Sequence, residues 1–137
     1  MSLVLKRIES PFVFELKNEN GTTCLMDASE KIGGKNKGIR PMDLLAGSLA
    51  GCASIDVINI LQKKRINIGC YEVEIETKRK EELPGVFEFI HLKFLFFNTI
   101  ELDKLTTIID KVIDKYCSVA ASLSPEIKLS YEIEFKK

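Results

Sequence analysis

"PMDLLAGSLAGCASIDVINILQKK", Pro41–Lys64, is the stretch on which the reading of the fold turns. Proline at a first helical position forfeits no needed hydrogen bond, so Pro41 is a natural helix start. Leu45, Leu49, Ala53, Val57, Ile60 and Leu61 recur at helical spacing and form one stripe, while Leu44, Ile55 and Ile58 cover much of the remaining surface. A helix apolar nearly all round belongs inside a core or an interface. Gly47, Ser48, Ala50 and Gly51 are small enough for a second backbone to come close, and a thiol, Cys52, sits mid-helix. The end of the helix, "QKKRIN", places cations beside its negative terminus.

Strands surround this helix on both sides in the chain. "LVLKRI" and "FVFELK" predict a hairpin, and Asn20-Gly21 supplies a tight turn into a third strand, "TTCLMDA". "SEKIGGKNKGIR" reads as a mobile loop. Gly33 and Gly38 have the spacing that opens a phosphate-binding loop, but Ile39 and Arg40 stand where that motif needs Lys and then Ser or Thr. Beyond the helix, "CYEVEIETKRK" alternates as a half-buried strand, "ELPG" turns, and "VFEFIHLKFLFF" returns. From Glu101 the period becomes helical, with Leu102, Leu105, Ile108, Ile109, Val112, Ile113 and Tyr116 on one face. A kink or fresh helix start is predicted near Cys117-Ser118, and "IKLSYEIEF" closes the chain as a strand. The order β-β-β-α-β-β-α-β predicts an α+β fold with helices packed against antiparallel sheet.

The bulk numbers bound the function. At 137 residues the chain is expected to form one domain, residues 1–137. Twenty basic residues balance twenty acidic ones, so no global field points to nucleic acid or an anionic membrane. The charge-free apolar run Leu44–Ile55 is short for a bilayer span, and no signal peptide is read at the start, so a cytoplasmic location is expected. The single histidine, His91, excludes a histidine-rich metal site within one chain and reads as a hydrogen-bonded strand residue. Neither a metal nor an organic cofactor is expected.

Of four cysteines, none forms a CxxC pair. Cys24 and Cys70 fall in or at strands and read as packing residues. Cys52 and Cys117 fall on helices among small neighbours, "AGCAS" and "CSVAAS", which leave room for a substrate or a second sulfur. They are 65 positions apart, and a disulfide would need their Cα atoms within about 7 Å. Composition and spacing leave both packing and redox chemistry open.

A resemblance bears on that choice. "RPMDLLAGSLAGCASIDV" resembles the central-helix motif of the OsmC/Ohr family, a proline followed eleven positions later by a cysteine, and "YCSVAASL" resembles its second cysteine motif. The likeness spans nearly the whole chain and leans to the YhfA-like branch. It implies an OsmC-like fold, an intertwined homodimer whose antiparallel sheets wrap around two central helices. It implies a thiol-dependent peroxidase in which Cys52 attacks an organic hydroperoxide and becomes a sulfenic acid. Cys117 then condenses with it to a disulfide, and a dithiol reductant resets the pair. The sequence departs from the family in two respects. Met42 follows the proline where the peroxidases carry a glutamate that helps hold an arginine against the thiolate, with Asp43 one position on. "RIESPFVFEL" offers no clear match for that arginine, Arg7 and the loop residue Arg40 being the substitutes. An unaided cysteine has a pKa of about 8.5, and an ionised Asp56 one turn from Cys52 would raise it. Weak peroxidase activity is therefore expected. Two other readings stand beside it: a ligand-binding or redox-sensing module holding a small lipophilic molecule on the same fold, and an interaction protein whose cysteines are only packed.

Overall fold

A computed structural model describes residues 1–137. It resolves into two compact units, Met1–Leu45 and Ala46–Lys137. The long helix α1, Pro41–Lys63, has its first turn in the former and the rest in the latter.

In the first unit, β1 (Leu3–Glu9), β2 (Val13–Asn18) and β3 (Thr23–Met26) form an antiparallel sheet in that order, as the hairpin signals predict. Asn18 organises the turn, its Oδ1 accepting from the N–H groups of Asn20 and Thr22 at 3.0 and 2.9 Å. The segment after β3 departs from the mobile loop expected of it. It is folded around the buried carboxylate of Asp27, which accepts from the N–H groups of Ala28 (2.7 Å), Lys35 (2.9 Å) and Lys37 (3.2 Å). Glycine is required here because the chain doubles back on itself. A Cβ on Gly34 would lie 1.8 Å from the Ala28 carbonyl oxygen, and one on Gly38 would lie 2.6 Å from the Met26 carbonyl carbon. Lys35 and Lys37 of this segment reach Glu9 at 3.0 and 2.8 Å.

In the second unit, β4 (Tyr71–Arg79), β5 (Phe87–Phe96) and β6 (Lys128–Phe135) form a sheet in the order β4-β5-β6. β5 lies in the middle, which accounts for its nearly unbroken apolar sequence. β4 and β5 pair antiparallel, but β5 and β6 pair parallel, so the expected all-antiparallel sheet becomes mixed. The cause is the helical crossover between β5 and β6, which carries the chain back to the end of the sheet at which β5 began; a parallel pair needs such a connection. The crossover consists of α2 (Leu102–Lys111), a π-helical turn (Val112–Tyr116) and α3 (Ser118–Ser122). Tyr131 of β6 ties back to it, donating from its hydroxyl to Asp110 Oδ1 at 2.6 Å.

The core of this unit draws Leu49, Ala53, Val57 and Leu61 from α1, Ile90, Leu92, Phe94, Leu95 and Phe96 from β5, and Leu105, Ile108, Ile109 and Val112 from the crossover. These agree with the stripes read from the sequence, apart from Leu45, Leu102 and Tyr116, which are exposed, and Ile60 and Ile113, which are half-buried. By length and composition α1 could cross a membrane, with a mean hydropathy of 1.7 over its most apolar window, a third of which is buried inside the protein. The charge-free run alone understated this, because isolated Asp43 and Asp56 do not lower the average far. A core helix has the same composition.

Asp27 yields a pH prediction. Burial pushes its pKa up, but three backbone N–H groups and the Arg40 charge outweigh burial and hold it below the ordinary 3.8. A carboxylate depressed in the folded state adds stability above its unfolded pKa, and that contribution is lost as pH falls through the lower folded value. Urea unfolding midpoints between pH 6 and pH 2 are expected to drop in the acid limb for the wild type. Asp27→Asn is expected to be less stable at neutral pH and to show a flatter acid limb.

Candidate functional site

The fresh start predicted after the second helix is present, and it is what places the second thiol. The α2 stripe runs into the π turn, whose wider winding shifts the register, and Cys117 then leaves the helix with φ −72° and ψ 107°. Its N–H bonds Val112 O at 2.7 Å, and its Sγ accepts from the N–H of Ala120 at 3.4 Å, capping α3. π turns of this kind recur at functional sites. Cys117 is buried.

Cys52 sits at the middle of α1, half-buried, with Ser48 and Asp56 one turn to either side. The structure brings the two thiols near enough that Cys52 contributes to raising the Cys117 pKa, and both are free. Burial pushes the Cys117 thiol up, the nearby Cys52 pushes it further, and the N–H groups of Ala120 and Val119 oppose both. Cys117 is thus held as a neutral S–H facing the more accessible sulfur of Cys52.

Cys24 is half-buried on β3, opposite Leu16 of β2, in keeping with packing. Cys70 is exposed and stands just before β4 rather than in it, so the packing role expected of it does not hold. Its neighbour Gly69 has a left-handed φ of +62°, which places the pair in a turn. His91 donates or accepts at Ser130 Oγ, 2.7 Å away, across the β5–β6 pair, as a strand histidine satisfied by its neighbour. The guanidinium groups considered for thiolate support bond within the first unit: Arg7 to Pro11 O at 3.5 Å, and Arg40 to Gly38 O at 3.3 Å and Asn36 Oδ1 at 3.4 Å. On the other side of α1 from Cys52, Ser54 Oγ bonds the Tyr71 hydroxyl at 2.9 Å, and burial raises the Tyr71 pKa to about 12, so this phenol stays protonated at neutral pH.

One feature of the unit was missed in the sequence. Asp56, Asn59, Ile60, Lys63 and Lys64 of α1 and its end, with Lys104, Thr107, Ile108, Lys111 and Tyr116 of the crossover, line a cavity of about 660 Å³. The lysines had read as solvated helix surface. The signal was present in their spacing: Lys104 and Lys111 lie two turns apart on one face, with Thr107 and Ile108 between them.

Residues 34–132 match the family described as OsmC-like protein. The chain is 31% identical over 119 residues to protein YhfA of Escherichia coli, covering 86% of each. Among solved structures, a hypothetical protein from Aquifex aeolicus is 29% identical with a TM-score of 0.79, over 99% of this chain and 97% of that one. The organic hydroperoxide resistance protein OhrB of Bacillus subtilis shares the fold at 13% identity, with a TM-score of 0.68 and 98% of each chain covered. The chain belongs to the OsmC-like protein family.

Thiol exposure gives a direct check on this geometry. Timed iodoacetamide labelling of the reduced native protein, read by peptide mass spectrometry, is expected to modify Cys70 first, Cys24 and Cys52 more slowly, and Cys117 last. Labelling of Cys117 ahead of Cys52 is the result this arrangement does not allow.

Proposed function

We propose that the protein is a thiol-dependent peroxidase of the OsmC/Ohr type, reducing organic hydroperoxides through Cys52 and Cys117. The single observation that carries this reading is the proximity of the two thiols, 65 positions apart in sequence, one inside α1 and the other at the N-cap of α3. The naming of a structural relative for organic hydroperoxide resistance supports the substrate class.

The roles follow from burial. Cys52 is the accessible sulfur and acts as nucleophile: its thiolate attacks the terminal peroxide oxygen, the O–O bond breaks, and an alcohol leaves once its oxygen is protonated. Cys52 is then a sulfenic acid. Cys117 attacks that sulfur, water departs, and a Cys52–Cys117 disulfide remains. A dithiol or other thiol reductant restores the pair, in the cytoplasm by this reading.

The same proposal includes a homodimer. Every residue of β1 but the last is exposed, including Leu3 at 56%, Val4 at 60% and Leu5 at 54%. On α1, Gly47 and Gly51 have open space around them and Ile55 is 70% exposed. A strand exposed on both faces and a bare apolar helix face support coverage by a second copy. Light scattering at micromolar concentration is expected to give a dimer mass; a monomer counts against this part of the proposal.

Hydroperoxide treatment is expected to join Cys52 to Cys117 and to leave Cys24 and Cys70 as thiols, as peptide mapping will read. The reaction is expected to be slow. With Met42 in the glutamate position, an arginine lacks its positioning carboxylate, and loss of one such electrostatic contact costs roughly a hundred- to thousandfold in rate. Stopped-flow kinetics with an organic hydroperoxide should give a rate constant well under about 10⁶ M⁻¹s⁻¹, inside the usual enzymatic range, and none for Cys52→Ser. A Cys52-independent rate overturns the assignment, and no reaction at all favours the ligand-binding alternative.

A further inference from the structure

The cavity between the C-terminal half of α1 and the crossover has no part in the thiol–peroxide step, yet its size and charge fit a ligand. At about 660 Å³ it lies within the range of roughly 300–1,000 Å³ common for small-molecule sites. Lys63, Lys64, Lys104 and Lys111 line it against one carboxylate, Asp56. The whole chain is neutral, so this local excess of positive charge does not follow from composition. Of the four lysines only Lys104 has a carboxylate within 4.0 Å, Glu101 at 3.8 Å. Ile60, Ile108 and the Tyr116 ring supply an apolar part. The excess exceeds what one carboxylate would balance and calls for a ligand with two or more negative charges.

Its position links it to sulfur. Asp56 lies one helical turn from Cys52 on the same side of α1, and Tyr116 directly precedes Cys117. Neither sulfur lines the cavity itself, so a ligand anchored by its anionic end among the lysines reaches Cys52 by extending one helical turn, roughly 5.4 Å, beyond Asp56. We propose that this cavity docks a polyanionic low-molecular-weight thiol, one bearing several phosphate or carboxylate groups, as the reductant of the Cys52–Cys117 disulfide. The inference rests on the disulfide reading above and names its reductant class.

The chemistry balances with two equivalents of thiol. The thiolate of the first attacks Cys52 Sγ, the more accessible sulfur, and forms a mixed disulfide. The Cys52–Cys117 bond breaks, and Cys117 leaves as a thiolate that takes up a proton. The thiolate of a second equivalent attacks the ligand sulfur and releases Cys52 together with the oxidised ligand disulfide. One protein disulfide is reduced, two ligand thiols are oxidised, and their two protons end on the two cysteines.

The test uses coenzyme A as the phosphate-bearing thiol and N-acetylcysteamine as an uncharged thiol. The full-length protein is first oxidised with diamide, so that the result does not depend on peroxide turnover. At low ionic strength coenzyme A is expected to reduce the disulfide about tenfold faster or more at equal thiolate concentration, as electrostatic steering permits. The advantage should disappear in about 0.5 M salt, where screening is strong, and in Lys63→Gln/Lys104→Gln/Lys111→Gln. In parallel, adenosine 3′,5′-bisphosphate, which lacks the thiol, should bind the reduced protein in calorimetry and not the triple variant, whose fold is checked by circular dichroism. Equal rates for the two thiols, or a coenzyme A advantage untouched by the lysine changes, overturns the proposal. So does failure of diamide to form the Cys52–Cys117 bond. If diamide forms the bond and coenzyme A is preferred but hydroperoxide does not oxidise the pair, the peroxidase reading fails and the docking site stands.

Discussion

α1 presents apolar or small residues around nearly its whole circumference, and such a helix must be covered on most of its sides. Within its own chain one face is covered, by a core that includes Leu49, Ala53, Val57 and Leu61. The rest of the molecule follows from how the remaining faces are used. Cys52 lies at the edge of the covered face, neither sealed in nor fully open, where a half-buried thiol can meet both a buried partner and a ligand from outside. The open face, with Gly47, Gly51 and Ile55, has no such partner in the chain. Moving a large apolar residue such as Ile55 from water to an interface contributes about 1.5–3 kcal/mol, and the small residues beside it leave room for a second backbone.

The second constraint is the register of the crossover. An α-helix continued straight from Leu102 through Ser122 would keep its stripe turning at the ordinary period. The π turn at Val112–Tyr116 inserts extra backbone into that period, and Cys117 then leaves helical geometry before α3 begins. Val112 remains buried at the start of the turn, Tyr116 is exposed at its end, and Cys117 is again buried one residue later. The chain therefore gives up regular hydrogen bonding at the point where a sulfur has to face α1, and the Cys117 N–H and Sγ take up part of the lost bonding themselves.

Much of this was readable in the sequence, and the failures have physical causes. The strands and helices fall where periodicity and turn residues placed them, because a change from period 2 to period 3.6 is a local signal. The parallel β5–β6 pairing was not readable, since direction depends on where a crossover returns the chain, and no local pattern in "IKLSYEIEF" encodes that. The loop after β3 was misjudged because glycine and lysine suggest mobility, while the buried Asp27 that orders it looks like any other aspartate. Cys52 and Cys117 stood out by their small neighbours and family motif, but their proximity is a long-range fact. The lysine-lined cavity was hidden because each lysine, taken alone, sits on an ordinary polar helix face.

The site also has a consistent division of electrostatic labour. At the thiol pair, Cys117 is kept neutral by burial. Strong charge begins a turn further along α1, at Asp56, and becomes positive at Lys63 and Lys64. In the proposed cycle the cationic region would serve the anionic thiol and not the uncharged peroxide, so two substrates that react at the same sulfur in alternate half-reactions need not compete for the same contacts. With Met42 in the glutamate position the proposed oxidative half-reaction has less help, and the lysines would favour the reductive one.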